Sequence, residues 1–152
     1  MIVLKCLSIS QPFADLIISD KKTIELRNWN TNFRGEFLIH APLKIKTEDC
    51  KRLKINKKFV TGVIIGKAEL YDVKKYNSLK EIREDQKFHF AAKKFQNKIY
   101  GFKIRNVKIL KIPIPCKGQL GFFNVELTKI KNKDILSDII DEEYRYQWIN
   151  HH

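Results

Sequence analysis

Cysteine is sparse in this 152-residue chain and is not arranged to do much. Cys6, Cys50 and Cys116 lie far apart, with no Cys-x-x-Cys pair, so the spacing of a structural zinc site is missing. An odd count of cysteines fits free thiols in a reducing cytosol. The histidines lack ligand spacing too, so no metal and no cofactor is expected. No apolar run approaches the roughly 20 residues that span a bilayer, and no signal-peptide pattern opens the chain. A cytoplasmic protein without membrane contact is therefore expected. Repeats, low-complexity tracts and Gly/Ser linkers are also missing. One domain over residues 1–150 is the reading, with 128–150 as a C-terminal helical extension. His151 and His152 read as remnants of an expression tag and are set aside.

Acid is the next scarce commodity: 17 Asp and Glu stand against 30 Lys and Arg, a formal charge of +13. That balance points toward a polyanionic partner, above all nucleic acid. Arginine is scarce within it, six against 24 lysines, a bias that an A/T-rich coding background also produces. The total charge alone therefore does not establish a partner, and its distribution says more. Residues 87–117 hold nine basic residues and no acid, whereas residues 134–143 hold five acids and no base. Segregation of this kind favours a basic face. Lys93, Lys94, Lys98, Lys103, Arg105 and Lys108 are its candidate residues.

What is present reads as short strands and helices. MIVLKCLSI opens as a strand, and SQPFADLIISD as a short helix capped by Ser10, with Pro12 in its first turn. KTIELRNW, GEFLIHA and VTGVIIGKAEL follow as strands. Ser78 to Glu81, SLKE, matches a capping box, and KFHFAAKKF continues as helix with Phe88, Ala91, Ala92 and Phe95 on one face. From Ile99 to Ile112 a long strand changes parity near Asn106, which predicts a bulge or bend. FFNVEL is the last strand, and from Asp134 a helix presents Leu136, Ile139, Ile140 and Tyr144 on one side. Five to seven strands with two or three helices suggest an α+β fold, a small, mostly antiparallel barrel flanked by short helices.

The stretch SDKKTIELRNWNTNFRGEFLIHAP sets charges among apolar residues. Along a strand, Thr23, Glu25 and Arg27 share the face opposite Ile24 and Leu26. Lys22 has core parity and is placed in the preceding turn, from which its long stem swings round. Glu25 and Arg27 are then about 7 Å apart at Cα, near enough to pair. Two readings stand side by side: a solvated surface pair, or the floor of a ligand cleft completed by Gln11, Trp29, Arg34 and His40. A lone histidine behind an apolar run is more often a satisfied core residue than a catalyst.

LSISQPFADLIISDKKTIELRNWNTNFRGEFLIHA resembles the N-terminal signature of the ASCH domain, a branch of the PUA-like superfamily. The matching residues are Gln11, Pro12 and Phe13; Lys22, Glu25 and Arg27; then Arg34, Gly35, Ile39, His40 and Ala41. Asp20 stands where the family usually has glycine. VTGVIIGKAEL and YGFKIRNVKILKIPIPCKGQLGFFNV are similar to later segments of the family, in the same order. The resemblance implies a PUA-like β-barrel with a cleft beside it, in a family associated with RNA binding and coactivator functions. It implies that Lys22, Glu25 and Arg27 line that cleft. Arg27 would grip a phosphate or base edge, Trp29 would stack on a base, and Lys117 and Gln119 in CKGQLG would close the other wall.

The expected partner is then RNA, another single-stranded nucleic acid or a nucleoside. An enzyme is the alternative: some small ASCH proteins resembling this signature are amidohydrolases on acetylated cytidine, with the lysine as base or activator. Lys22 and Glu25 would be catalytic there, although Glu25 stands where the helper threonine belongs. Glu81 or Glu84 would supply a distant acid. A ribonuclease would take a general base such as His40. In a third class, an interaction module, the acidic C-terminal helix docks a protein partner or packs on the chain's own basic face.

Overall fold

A computed structural model describes residues 2–92 and 99–140. Strands β1 (Val3–Ser8), β2 (Ile24–Arg27), β3 (Gly35–Ala41), β4 (Val63–Tyr76), β5 (Ile99–Pro115) and β6 (Phe122–Glu126) form one sheet. Their order is β2-β5-β4-β3-β1-β6. β1 and β3 run parallel, and the other neighbouring pairs are antiparallel. Helices α1 (Phe13–Ile18), α2 (Thr47–Arg52), α3 (Leu79–Glu84), α4 (Gln86–His89) and α5 (Lys133–Ile139) are all short.

Strand parity sorts the core into two halves. Leu7, Phe37, Ile39 and Ile65 pack with α1 residues on one face, whereas Cys6, Leu38 and Ile64 pack with Leu136 and Ile139 of α5 on the other. A sheet covered on both faces needs apolar residues at every position. GEFLIHA supplies this except at His40: its last five residues are all buried, four of them apolar.

The expected barrel is corrected to an open mixed sheet within an α+β fold. β2 and β6 are its edges, and no ladder joins them among the described residues. Rings occupy the seam instead. Trp29, just past β2, meets Phe122 of β6 edge-on at 5.9 Å and Phe102 of β5 at 5.2 Å. Phe102 and Phe122 stack at 6.2 Å between centroids. Side chains of that thickness hold the edges beyond the roughly 4.8 Å at which backbones pair.

Other expectations meet the structure unevenly. The parity change in β5 is a bulge: the β4–β5 register shifts between Lys67 and Glu69, and Asn106 has a φ of 54°. Ser78 accepts from the Glu81 N–H at 3.2 Å, as the capping box requires. Ser10, however, offers only its carbonyl to Phe13, while the Gln11 side chain accepts from the Asp15 N–H at 2.9 Å. The helix read from Lys87 to Phe95 stops at His89, because Phe90 turns left-handed at φ 58°. Phe95 and Tyr144 lie outside the described residues. Residues 47–52, given no element in the sequence, form α2.

The described part of the acidic C-terminal segment, α5, packs on the chain's own sheet. Asp138 of α5 is buried, accepts the backbone N–H of Lys111 and pairs with Lys108 at 3.4 Å. From β4, Lys67 reaches the α5 carbonyl of Ile139 at 2.8 Å, a favourable place for a cation.

Candidate functional site

The signature charges meet because α1 ends in a left-handed turn. Asp20 takes a φ of 62° where the family pattern has glycine, a conformation that Asp tolerates better than most residues. The N–H groups of Lys21 and Lys22 then return to the Leu16 carbonyl, which aims the Lys22 stem inward. Its ammonium donates to the carbonyls of Ile24 at 2.7 Å and His89 at 2.5 Å, and meets Glu25 Oε1 at 3.2 Å. Three donors thus find three acceptors. Glu25 Oε2 accepts from Arg27 Nε at 3.0 Å and Nη2 at 2.7 Å, and Nη2 also donates to the Ser8 carbonyl at 2.7 Å.

This triad is interior. Lys22 is 2% exposed and Glu25 7%, because α4 covers β2 through the Thr23 N–H to Phe88 carbonyl bond. The open cleft floor expected from strand parity is corrected accordingly. Burial pushes the Lys22 ammonium below its ordinary value, against the pull of Glu25. Burial alone would raise Glu25, yet Lys22 and Arg27 together hold it below the usual carboxylate range. The Lys22 ammonium spends its three donors within the fold, on Ile24, His89 and Glu25.

Ser8 links the triad to a cavity of about 680 Å³. Ser8, His40, Leu43, Lys117, Gln119 and Leu120 line it. Parallel pairing sets Ser8 opposite His40 across β1 and β3. His40 is buried, with Nδ1 2.8 Å from Ser8 Oγ and Nε2 2.7 Å from the Cys116 carbonyl. Above them runs the 116–121 loop. A Cβ on Gly118 would stand 2.7 Å from Ser8 Oγ and 2.8 Å from His40 Cε1, so only glycine lets the loop lie this close. At the mouth, Leu43 is 80% exposed and Leu120 99%, an apolar pair of lips over a polar floor.

His40, Lys117 and Gln119 of the expected binding set therefore converge, and three others stand elsewhere. Gln11 is buried and spends its amide on Asp15 and the Val60 carbonyl, tying α1 to a loop. Trp29 is a seam residue. Arg34 is held by the Thr31 and Phe33 carbonyls beside a different cavity, with Lys5 and Glu36.

The expected basic face is partly neutralised. Arg105 is paired with Glu69 at 3.0 Å and Lys108 with Asp138, while Lys103 is half-buried. Lys93, Lys94 and Lys98 lie outside the described residues. Residues 44–58, overlooked beside the acid-free stretch, carry seven bases against two acids. Lys44 and Lys46 there are exposed and follow directly on the cavity lip at Leu43. Ser8 was also missed, since its pairing with His40 depends on the β1–β3 register, to which no local sequence pattern points.

Among the described residues, no group of three or more His, Cys, Asp or Glu side chains could hold a metal ion. No helix there is long and apolar enough to cross a membrane. The ASCH domain model matches residues 7–112, which include Ser8, His40 and the triad. The crystal structure of ASCH from Zymomonas mobilis aligns at 14% identity and a TM-score of 0.59, over 96% of this chain and 93% of that one. Two mutants of the same protein align similarly. A serine-to-alanine form covers 97% of this chain and 94% of that chain at 14% identity and TM-score 0.58. A tyrosine-to-phenylalanine form covers 96% of both at 15% identity and TM-score 0.58. At such identities the likeness speaks for the fold alone. Curated proteins give no match.

Proposed function

This chain belongs to the ASCH domain family, and we propose that it binds RNA or another single-stranded nucleic acid, seating one base in the Ser8–His40 cavity. The observation that carries the reading is the cavity's make-up. Its volume of about 680 Å³ falls within the roughly 300–1,000 Å³ of small-ligand sites. A nucleobase has apolar faces and a polar edge. Leu43 and Leu120 offer contact to the faces, and Lys117 and Gln119 offer hydrogen bonds to the edge. Lys44 and Lys46 extend the approach with cations suited to backbone phosphates. In this reading the phosphate track follows the 44–46 segment and Lys117 rather than Arg105 and Lys108, whose charges are already paired. The triad does not touch the ligand. It fixes the Ser8 backbone through Arg27.

Fluorescence anisotropy of a labelled single-stranded RNA tests the proposal. Binding is expected at low salt and should weaken with a log–log slope of about −2 to −3, for three or four phosphate contacts. Combining Lys44→Glu, Lys46→Glu and Lys117→Glu should flatten that slope by about 2–3, whereas Lys131→Glu with Lys133→Glu should barely change it. Failure to bind at the lowest salt removes the proposal. Equal effects of the two sets would reduce it to nonspecific charge.

A further inference from the structure

Beyond binding, we infer that Ser8 and His40 form a nucleophile–base pair that cleaves carboxylic esters in this cavity. The direction of the hydrogen bonds carries the assignment. The Cys116 carbonyl can only accept, so His40 Nε2 bears the ring proton of the neutral imidazole. Nδ1 is then left with its lone pair, 2.8 Å from Ser8 Oγ, and the hydroxyl donates to it. A serine hydroxyl, an imidazole base and a third group that fixes the base's tautomer are the three parts of nucleophilic activation.

The surroundings separate this pair from an ordinary buried histidine. His40 is held rigidly by burial, while half-buried Ser8 borders the cavity. Arg27 holds the Ser8 carbonyl and so acts as a positioning residue. Gly118 brings the 116–121 loop onto the hydroxyl, and the N–H groups of Lys117, Gly118 and Gln119 make no hydrogen bond within the described chain. Such donors beside a nucleophile suit the oxyanion of a tetrahedral intermediate. The acyl chain has Leu43 and Leu120 for contact, and a polar leaving alcohol has Lys117 and Gln119.

In the reaction, Ser8 Oγ forms a bond to the ester carbonyl carbon as its proton passes to His40 Nδ1. The intermediate collapses, the bond to the leaving oxygen breaks, and that oxygen takes the proton from Nδ1. Water then adds to the acyl-Ser8 ester with His40 again as base, releasing the carboxylic acid and restoring the hydroxyl. Water is the only co-reactant.

A fluorophosphonate probe, read by intact mass and peptide mapping, together with p-nitrophenyl acetate hydrolysis, tests the assignment. One phosphonyl group on Ser8 and measurable turnover are expected. Ser8→Ala should abolish both, and His40→Gln should slow turnover by at least about 100-fold. Ser8→Cys keeps a nucleophile in place and should become labelled by iodoacetamide at position 8, faster than in a His40→Gln background. Folded wild-type protein that leaves Ser8 unlabelled, or hydrolysis that Ser8→Ala does not change, overturns the inference. RNA anisotropy on the wild-type protein is read in parallel, so failure of Ser8 to react in a protein that binds RNA overturns this inference alone, and failure to bind RNA in a protein whose Ser8 reacts overturns only the binding proposal.

Discussion

Glu25→Ala is expected to lower the unfolding free energy by about 3–5 kcal/mol, the cost of removing one partner from a buried charge cluster. Among the described residues Glu25 is the carboxylate that joins Lys22 and Arg27, which are otherwise two cations converging on one buried point. Lys22 keeps the carbonyls of Ile24 and His89, which help an ammonium but do not neutralise it. A solvated hairpin pair would lose only a few tenths of a kcal/mol on the same substitution. Urea unfolding followed by tryptophan fluorescence distinguishes the two outcomes. Adding Lys22→Met to Glu25→Ala should recover part of the loss, since the deepest unpaired cation is then gone, and a double-mutant cycle measures the coupling.

Acid supplies an independent reading of the same triad. Glu25 is held below its ordinary value in the folded state, so its contribution is complete above the unfolded value of about 4.3. That contribution is lost as pH falls through the depressed folded value. Lys22 is a base with a lowered value, so below its unfolded value of about 10.4 the unfolded chain holds the proton more readily. Stability therefore also climbs with pH on the alkaline side, up to that value. Glu25→Ala should flatten the acid limb of the stability profile. An unaltered acid limb would mean that the triad contributes nothing to folding.

Gly118→Val is expected to weaken RNA binding roughly 10- to 100-fold, the equivalent of losing one stacked base worth about 1–3 kcal/mol. The valine would drive its Cβ against Ser8 Oγ at 2.7 Å and His40 Nδ1 at 3.0 Å. Either the Ser8–His40 bond breaks or the loop lifts from the cavity floor, and both destroy the pocket's shape. The 116–121 loop carries little of the core, so stability should change by no more than about 1 kcal/mol. Anisotropy and urea unfolding on one preparation read the two quantities separately. Unchanged affinity in a folded Gly118→Val protein would mean that no base enters this cavity.

Much of the strand pattern was legible because both periodicity and parity survive in the residues themselves. The β5 bulge is the clearest case: a parity slip near Asn106 corresponds to a positive φ at that residue. Barrel closure was not legible, since whether two edge strands pair or stand a ring apart depends on Trp29, Phe102 and Phe122 meeting from three separate segments. The site divided along the same line. Lys22, Glu25 and Arg27 sit close in sequence, and their mutual contact could be read from strand geometry. Their burial could not, because the cover comes from α4, far along the chain. Ser8 and His40 lie 32 residues apart and meet only through a parallel register. The basic stretch was legible only in part for a related reason: the acid-free count could not anticipate Glu69 and Asp138 folding onto Arg105 and Lys108.

An open seam also gives the molecule two clocks. Among the described residues, β2 and β6 each pair on one side only, and what spans the gap is rings and a guanidinium. Rotamer changes in such groups run on picosecond to nanosecond scales where they are exposed, whereas loss of a central ladder requires cooperative opening. Parting the edges breaks no backbone pair. The amides of β2 and β6 that face the seam should therefore trade hydrogen for deuterium through local breathing, while ladder-bonded amides at the β3–β4–β5 centre wait for the whole domain to unfold.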